Sequence, residues 1–323
     1  QWFDACAEDP NAPGCVVDPV DPIDPVDPVD PVDPIDPVTP PPVLRPEAGA
    51  YLANQSAAVN MFAHRLGDRM GAVAVGGERA AWARVGRSTA DFTAVGGQLS
   101  VDGSRSLLQI GSDVLRRGNA AFGVMLGSGR ADNTVVSRLT GYSAKGRVQG
   151  TAVGVYGTWL QQADGTEGAY VDAQLQYGRF SNRVQGDALA RERYDARTRS
   201  GSLEGGYTVA VWQGASSNLY VQPQVQLTYT DYDADRHAES NGTVVDGAEA
   251  GGLAGRVGVR AFGRRAGMGT VVQPYVGVNW LRSSGRNAID FRAETLRADM
   301  PRNRYDVQAG AELKISQRMS AWG

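Results

Sequence analysis

From Arg79 onward, apolar and polar residues alternate with a period of two, interrupted by Gly, Asn and Asp turns. That is the pattern of strands with two unlike faces. From Leu219 to Tyr232, Leu219, Val221, Val225, Leu227 and Tyr229 take one face, and Gln222, Gln224, Gln226, Thr228 and Thr230 the other. Tyr305 to Ser316 repeats the pattern, as does Val171 to Tyr177. The alternation predicts about ten strands, at 79–87, 106–114, 119–130, 148–161, 167–184, 195–211, 217–233, 252–264, 270–283 and 303–316. Each has the ~9 residues that cross a bilayer when tilted, well above the usual strand mode of ~5–6.

A soluble sandwich also alternates, with its apolar row in the core. Here the polar row carries mid-strand charges: Arg84, Asp172, Glu204, Arg256, Arg260, Glu312 and Lys314. These suit a hydrated lumen. The other row is small or aliphatic, with aromatics towards segment ends. Trp82, Trp159, Tyr177, Tyr207, Trp212, Tyr220, Tyr229 and Trp280 are expected as interfacial girdles. The rows together favour a transmembrane barrel.

Before the strands, Pro46 and Glu47 open a helix expected over 47–66, with Gly67 as its stop. At 1.5 Å per residue it would be ~30 Å long, about a bilayer core. Leu52, Val59, Phe62 and Leu66 alternate around it with Asn54, Gln55, Asn60, His64 and Arg65. Such a helix fits neither lipid nor a dry core, but it fits a polar tube. Asn54, Gln55, Asn60, His64 and Arg65 are therefore the candidate contacts of a plug with the lumen wall.

Before the helix the texture changes again. Residues 1–44 hold ten of the acidic residues, no Lys or Arg, and twelve of the 16 prolines. Asp-Pro-Val or Asp-Pro-Ile repeats seven times from Asp18 to Val38. Proline at every third position fixes φ and removes a donor, so the repeat reads as a polyproline II rod. At ~3.1 Å per residue it spans roughly 65 Å. Its reading is a spacer, with a proline-motif ligand as the alternative. The rest of the chain carries 32 basic and 25 acidic residues, so the overall net charge of −3 hides two opposite halves.

Composition excludes several classes. With 41 glycines and strand patterning throughout, a dinucleotide-binding α/β enzyme or a helical bundle does not fit. No apolar run reaches the ~18 residues of a membrane helix. No signal peptide is recognisable at Gln1. Cys6 and Cys15 are the only cysteines; a disulfide and two free thiols both remain open. No metal, cofactor or nucleic-acid motif is present, and no Ser/His/Asp trio has useful spacing. His64 reads as a plug contact and His237 as a loop residue. Gly67 and Gly71 are turn formers rather than a phosphate loop. The arginines of 189–200 read as a solvated loop, with anionic lipopolysaccharide as a sharper alternative.

The residues themselves resemble a known family. RPEAGAYLANQSAAVNMFAHRLGDRMG (45–71) looks like the lumen-helix entry of autotransporter translocator domains. WARVGR (82–87), LQIGSDV (108–114), GVMLGSGRADN (123–133), YSAKGRVQGTAVGVYGTW (142–159) and GAYVDAQLQYGRF (168–180) continue it. So do LARERYDAR (189–197), SLEGGYT (202–208), VQPQVQLTY (221–229), NGTVVDG (241–247) and ETLRADMPRNR (294–304), in the family's order. The resemblance is to the AIDA and pertactin-like type. It implies an all-β, 12-stranded antiparallel outer-membrane barrel with one N-terminal helix in the lumen. About ten strands and a stub are present here, because the chain stops at what looks like the start of an eleventh strand. A C-terminally truncated barrel is therefore expected.

The implied organisation is a residual passenger end at 1–17, the acidic repeat linker at 18–44, linker and lumen helix at 45–72, and the barrel at 73–323. The implied function is type V secretion: the barrel anchors in the Gram-negative outer membrane and exports an N-terminal passenger, with the arm extracellular. Implied partners are outer-membrane lipid and lipopolysaccharide, the barrel assembly machinery, periplasmic chaperones and the protein's own passenger. A diffusion porin is the alternative, but it gives the arm and helix no purpose. Some members cut their own passenger junction with acidic lumen residues. No motif carries those residues over, and Asp172, Glu204 and Glu312 read as structural.

Overall fold

The structure, a computed structural model, describes residues 43–69, 81–162, 167–215, 217–265, 271–283, 287–292, 294–314 and 320–322. The chain divides into two units, Gln1–Pro42 and Val43–Gly323, and the described helix and strands all belong to the second. Cys6, Cys15 and the repeat to Val38 lie outside the described residues.

One helix, α1 (Pro46–Asn60), precedes the strands β1 (Ala81–Ala94), β2 (Leu99–Arg117), β3 (Ala120–Ser137), β4 (Ser143–Leu160), β5 (Gly168–Gly186), β6 (Arg191–Gln213) and β7 (Ser217–Ala234). Then come β8 (His237–Ala238), β9 (Val244–Glu249), β10 (Gly251–Arg265), β11 (Val271–Ser283), β12 (Ala288–Phe291), β13 (Glu294–Asp299), β14 (Asn303–Lys314) and β15 (Ser320–Trp322). The ten long strands match the ten expected from alternation, and most run further. The stretch 189–200, expected as a loop, is strand from Arg191 onward. It belongs to a 23-residue strand, because its alternation continues in charged residues rather than stopping.

The wall is an antiparallel up-and-down sheet, ordered β15-β14-β11-β10-β7-β6-β5-β4-β3-β2-β1. At one rim the strands turn tightly. Gly118, at φ 56°, opens the two-residue turn between β2 and β3, a conformation that favours glycine. The opposite rim carries the two long loops. These form the short strands β8, β9, β12 and β13, which extend the ladder from β1 through Thr93↔Asp299 and Ala94↔Ala298. Short strands of a few residues each left too little alternation to predict.

The two faces are inverted relative to a soluble protein. Val85, Ile110, Leu126, Val153, Leu203, Val225, Val257 and Val278 are exposed on the outside. Gln109, Asp172, Gln174, Glu204, Gln226 and Arg256 are buried on the inside. Apolar atoms facing out along every long strand suit a hydrocarbon solvent. Trp159, Tyr207, Trp212, Tyr229 and Trp280 are exposed on that outer face. Trp82 and Tyr220, expected in the girdles, point inward instead: the Trp82 indole donates to Tyr156 Oη at 3.1 Å, and Tyr220 stacks on Phe262 at 5.1 Å. Each sits on the inward register of its strand, which position along the strand does not reveal.

Candidate functional site: the lumen and its helix

The helix lies inside the wall and meets it at three levels. At the long-loop rim, Ala48, Ala50, Tyr51, Leu52 and Ala53 pack with Leu99, Val101, Val135 and Val184 of the wall and with Val245, Ile289, Phe291 and Leu296 of the loop strands. This half of the helix is therefore in an apolar collar, not the wholly polar tube expected. The loops supply the apolar surface that the wall lacks. Polar links pin the collar. Arg45 pairs with Glu239 and lies 5.1 Å above the Phe291 ring. Tyr51 Oη donates to Glu239 Oε1 at 3.2 Å and sits 3.0 Å from Nε2 of His237, whose ring stacks on Tyr194 at 5.0 Å. Asn287 donates to the Leu52 carbonyl at 3.1 Å.

At the middle level, Asn54 donates to the Arg183 carbonyl at 3.1 Å and accepts from Asn133 at 2.8 Å. Gln55 donates to the Ala288 carbonyl at 3.1 Å. Met61 and Phe62 then fill a small apolar pocket with Ala131, Val148, Ala152, Phe180 and Ala196. Glycines let the wall come this close. A Cβ on Gly129 would stand 2.6 Å from Met61 Sδ.

Below that, the helix ends at Asn60 rather than at 66. The wall takes over the carbonyls that a continuing helix would use. Phe62 O accepts from Gln109 and Gln176 at 3.2 and 3.3 Å, and Ala63 O from Arg84 at 3.2 Å. His64 O accepts from Gln174 and Gln226 at 2.9 and 3.1 Å. With these acceptors satisfied from outside, the segment that follows the helix leaves none of these three carbonyls orphaned. A short 3-10 turn, Leu66–Arg69, follows.

At this third level the lumen charges pair. Leu66 N donates to Glu204 at 3.1 Å; Glu204 also accepts from Tyr170 at 2.9 Å and pairs with Arg256 at 3.1 Å. Arg69 contacts Asp172, which also accepts from Thr158 at 2.6 Å. Arg65 pairs with Asp306 at 2.6 Å, and Arg84 with Asp68 at 3.6 Å.

Of the predicted plug residues, Asn54, Gln55 and Arg65 reach the wall or rim through their side chains. His64 does so mainly through its carbonyl. The Asn60 side chain turns back to the Ser56 carbonyl at 2.8 Å, while its own carbonyl accepts from Arg105 at 2.6 Å. Of the predicted lumen charges, Asp172, Glu204, Arg256 and Arg260 are buried inside, and Arg84 reaches inward. Glu312 and Lys314 occupy β14, but their side chains lie outside the described ones. Sequence reasoning missed Arg69, Tyr51 and Glu239. Arg69 lies beyond the expected helix end, and Glu239 lies in a loop far along the chain. Among the described residues, no group of three or more His, Cys, Asp or Glu is placed to hold a metal.

An inside-out curled sheet with a helix on its polar face defines the wall of a membrane β-barrel. The family model described as the autotransporter beta-domain matches residues 81–323, and the chain belongs to that family. Escherichia coli K12 proteins YdeU and YuaQ are similar to it. YdeU is 33% identical over 305 residues, covering 88% of this chain and 66% of YdeU; YuaQ is 34% identical over 302 residues, covering 87% and 22%. The chain thus corresponds to only part of each. The transport unit of the Escherichia coli autotransporter AIDA-I has the same fold, with TM-score 0.76 and 26% identity, covering 83% of this chain and 88% of that one. That neighbour is itself described as a transport unit.

Proposed function

We propose that this chain is the translocator of an autotransporter, anchoring in the Gram-negative outer membrane and delivering an N-terminal passenger to the cell surface. One observation carries the reading: the chain enters the lumen at the long-loop rim, where Arg45 meets Glu239, and leaves at the short-turn rim, where Arg69 meets Asp172. Outer-membrane barrels keep short turns in the periplasm and long loops outside, so the segment before Val43 departs on the extracellular side. The seven-fold Asp-Pro repeat cannot build helix or sheet, so it passes without folding and then holds the passenger clear. Residues 1–17 are the passenger end, 18–44 the linker, 45–72 the plug and 73–323 the barrel. The partners of this reading are outer-membrane lipid, lipopolysaccharide, the assembly machinery and periplasmic chaperones. Asp172 and Glu204 spend their oxygens on Arg69, Thr158, Leu66, Tyr170 and Arg256, which supports a structural role over passenger cleavage.

The test places a tag before Gln1 in the full-length protein and adds protease to intact cells. Removal of the tag supports export. A protected tag on a barrel that is in the outer membrane would overturn it.

A further inference from the structure

The outer wall carries an arginine-rich groove whose charged side chains face away from the lumen. Along β6 the outward row runs from Val211, Val209 and Leu203 to Arg199, Arg197, Asp195 and Arg193. The register sets cations directly opposite one another: Arg179 faces Arg197, Arg147 faces Arg183, and Arg183 faces Arg193. Like charges directly opposed destabilise a sheet. Part of this charge is answered within the protein, where Arg147 pairs with Asp132 at 2.6 Å and Arg199 with Asp231 at 3.1 Å. Arg179 rests on Tyr177. Among the described residues, Arg183, Arg193 and Arg197 make no ion pair. Between these strands lies an open groove of about 830 Å³, with Arg130, Gln149, Thr151, Arg179, Ser181 and Arg197 in its lining beside Asp195 and Asp235.

We propose that this groove binds the phosphates of a phosphorylated glycolipid of the outer leaflet, with Arg179 and Arg197 as the principal cations. The inference rests on the outer-membrane reading above. Height supports it: at ~3.3 Å per residue and ~45° tilt, the stretch from Arg197 to Trp212 covers roughly 35 Å along the membrane normal. With Trp212 at one interface, Arg197 stands just beyond a ~30 Å hydrocarbon core at the other, on the long-loop side. Chemistry supports it too. Two guanidiniums present forked donors that match phosphate oxygens, and the Thr151 hydroxyl lies in the same lining, where the Ser181 hydroxyl donates to Asp195 at 3.0 Å. A bound dianion converts the opposed Arg179 and Arg197 from a repulsive pair into two ligands. Val153 and Leu175, exposed on the same wall nearer the short turns, give the acyl chains an apolar surface. A free phosphate has no use for that surface.

The test uses native mass spectrometry of the full-length protein in detergent, titrated with diphosphorylated lipid A, its dephosphorylated form, or inorganic phosphate. The wild type should hold the diphosphorylated lipid about tenfold more tightly than the dephosphorylated one. Arg179→Gln with Arg197→Gln should abolish that preference. Arg117→Gln, at the opposite rim, should keep it. Equal retention of the two lipids, an unchanged double variant, or displacement of the lipid by equimolar inorganic phosphate would each overturn the assignment. The wild-type comparison needs no variant, so a double variant that fails to fold leaves the question decided. The surface-protease test reads export separately, and its failure would leave the lipid result distinct.

Discussion

Arg69 and Asp172 are joined inside the barrel: one guanidinium nitrogen of Arg69 lies 2.6 and 2.7 Å from the two carboxylate oxygens of Asp172, and both side chains are almost fully buried. The Arg69 guanidinium also lies 4.0 Å above the Tyr156 ring, while its Nε and Nη1 have no hydrogen-bond partner among the described residues. Leaving one member of a buried pair unpartnered costs ~3–5 kcal/mol. Asp172→Asn should therefore loosen the lower end of the plug and raise conductance in planar bilayers. The doubly apolar Arg69→Met with Asp172→Leu should return much of the closure. Conductance identical in all three forms would show that the pair does not hold the plug.

Gly150 tests how closely the wall must approach. A Cβ there would meet the Phe180 ring at 2.5 Å and Met61 Sδ at 3.0 Å. Gly150→Val should overpack this level at a cost of ~1–3 kcal/mol. The expected reading is a lower midpoint for heat unfolding on a gel that separates folded from unfolded barrel.

Val225 tests which solvent the outer face meets. It is 56% exposed near the middle of β7. Val225→Arg should destabilise the barrel by ~2–4 kcal/mol when it is unfolded by urea from lipid vesicles, whereas Val225→Leu should be nearly neutral. A harmless arginine there would mean that the face is wet.

Glu239 tests the upper latch. It accepts from both Arg45 and Tyr51. Glu239→Gln should lower hydrogen-exchange protection over 46–52 and leave β2–β6 unchanged. Arg45 is half-exposed, so the effect should be modest. Deleting 47–66 should do more and raise pore conductance outright.

What the sequence revealed depended on the range of each interaction. The wall was legible because alternation is written locally: Leu219 to Tyr229 declares two faces without reference to any other strand. The helix start was legible from Pro46 and Glu47. Its end was not, because it is set by Gln109, Gln174, Gln176 and Gln226, which reach the chain from three different strands. The apolar collar was hidden for a similar reason: Val245, Ile289 and Leu296 gain meaning only once their loops fold over the helix. Trp82 and Tyr220 read as girdle residues by type, and only the register shows that they face inward. The outward arginines of β6 were visible as charges, but their alignment with Arg179 and Arg183 appears only once β5 and β6 are paired.

The glutamines that grip residues 62–64 bind main-chain oxygens, and every residue has one. Such a wall recognises that a polypeptide is present, not which polypeptide it is. The exposed Ala63 side chain could be exchanged widely while the grip persisted, whereas Phe62 is also held by its packing against Phe180. A duct lined this way imposes no vocabulary on its traffic: it holds whatever stretch comes to rest there and is indifferent to the text that went before.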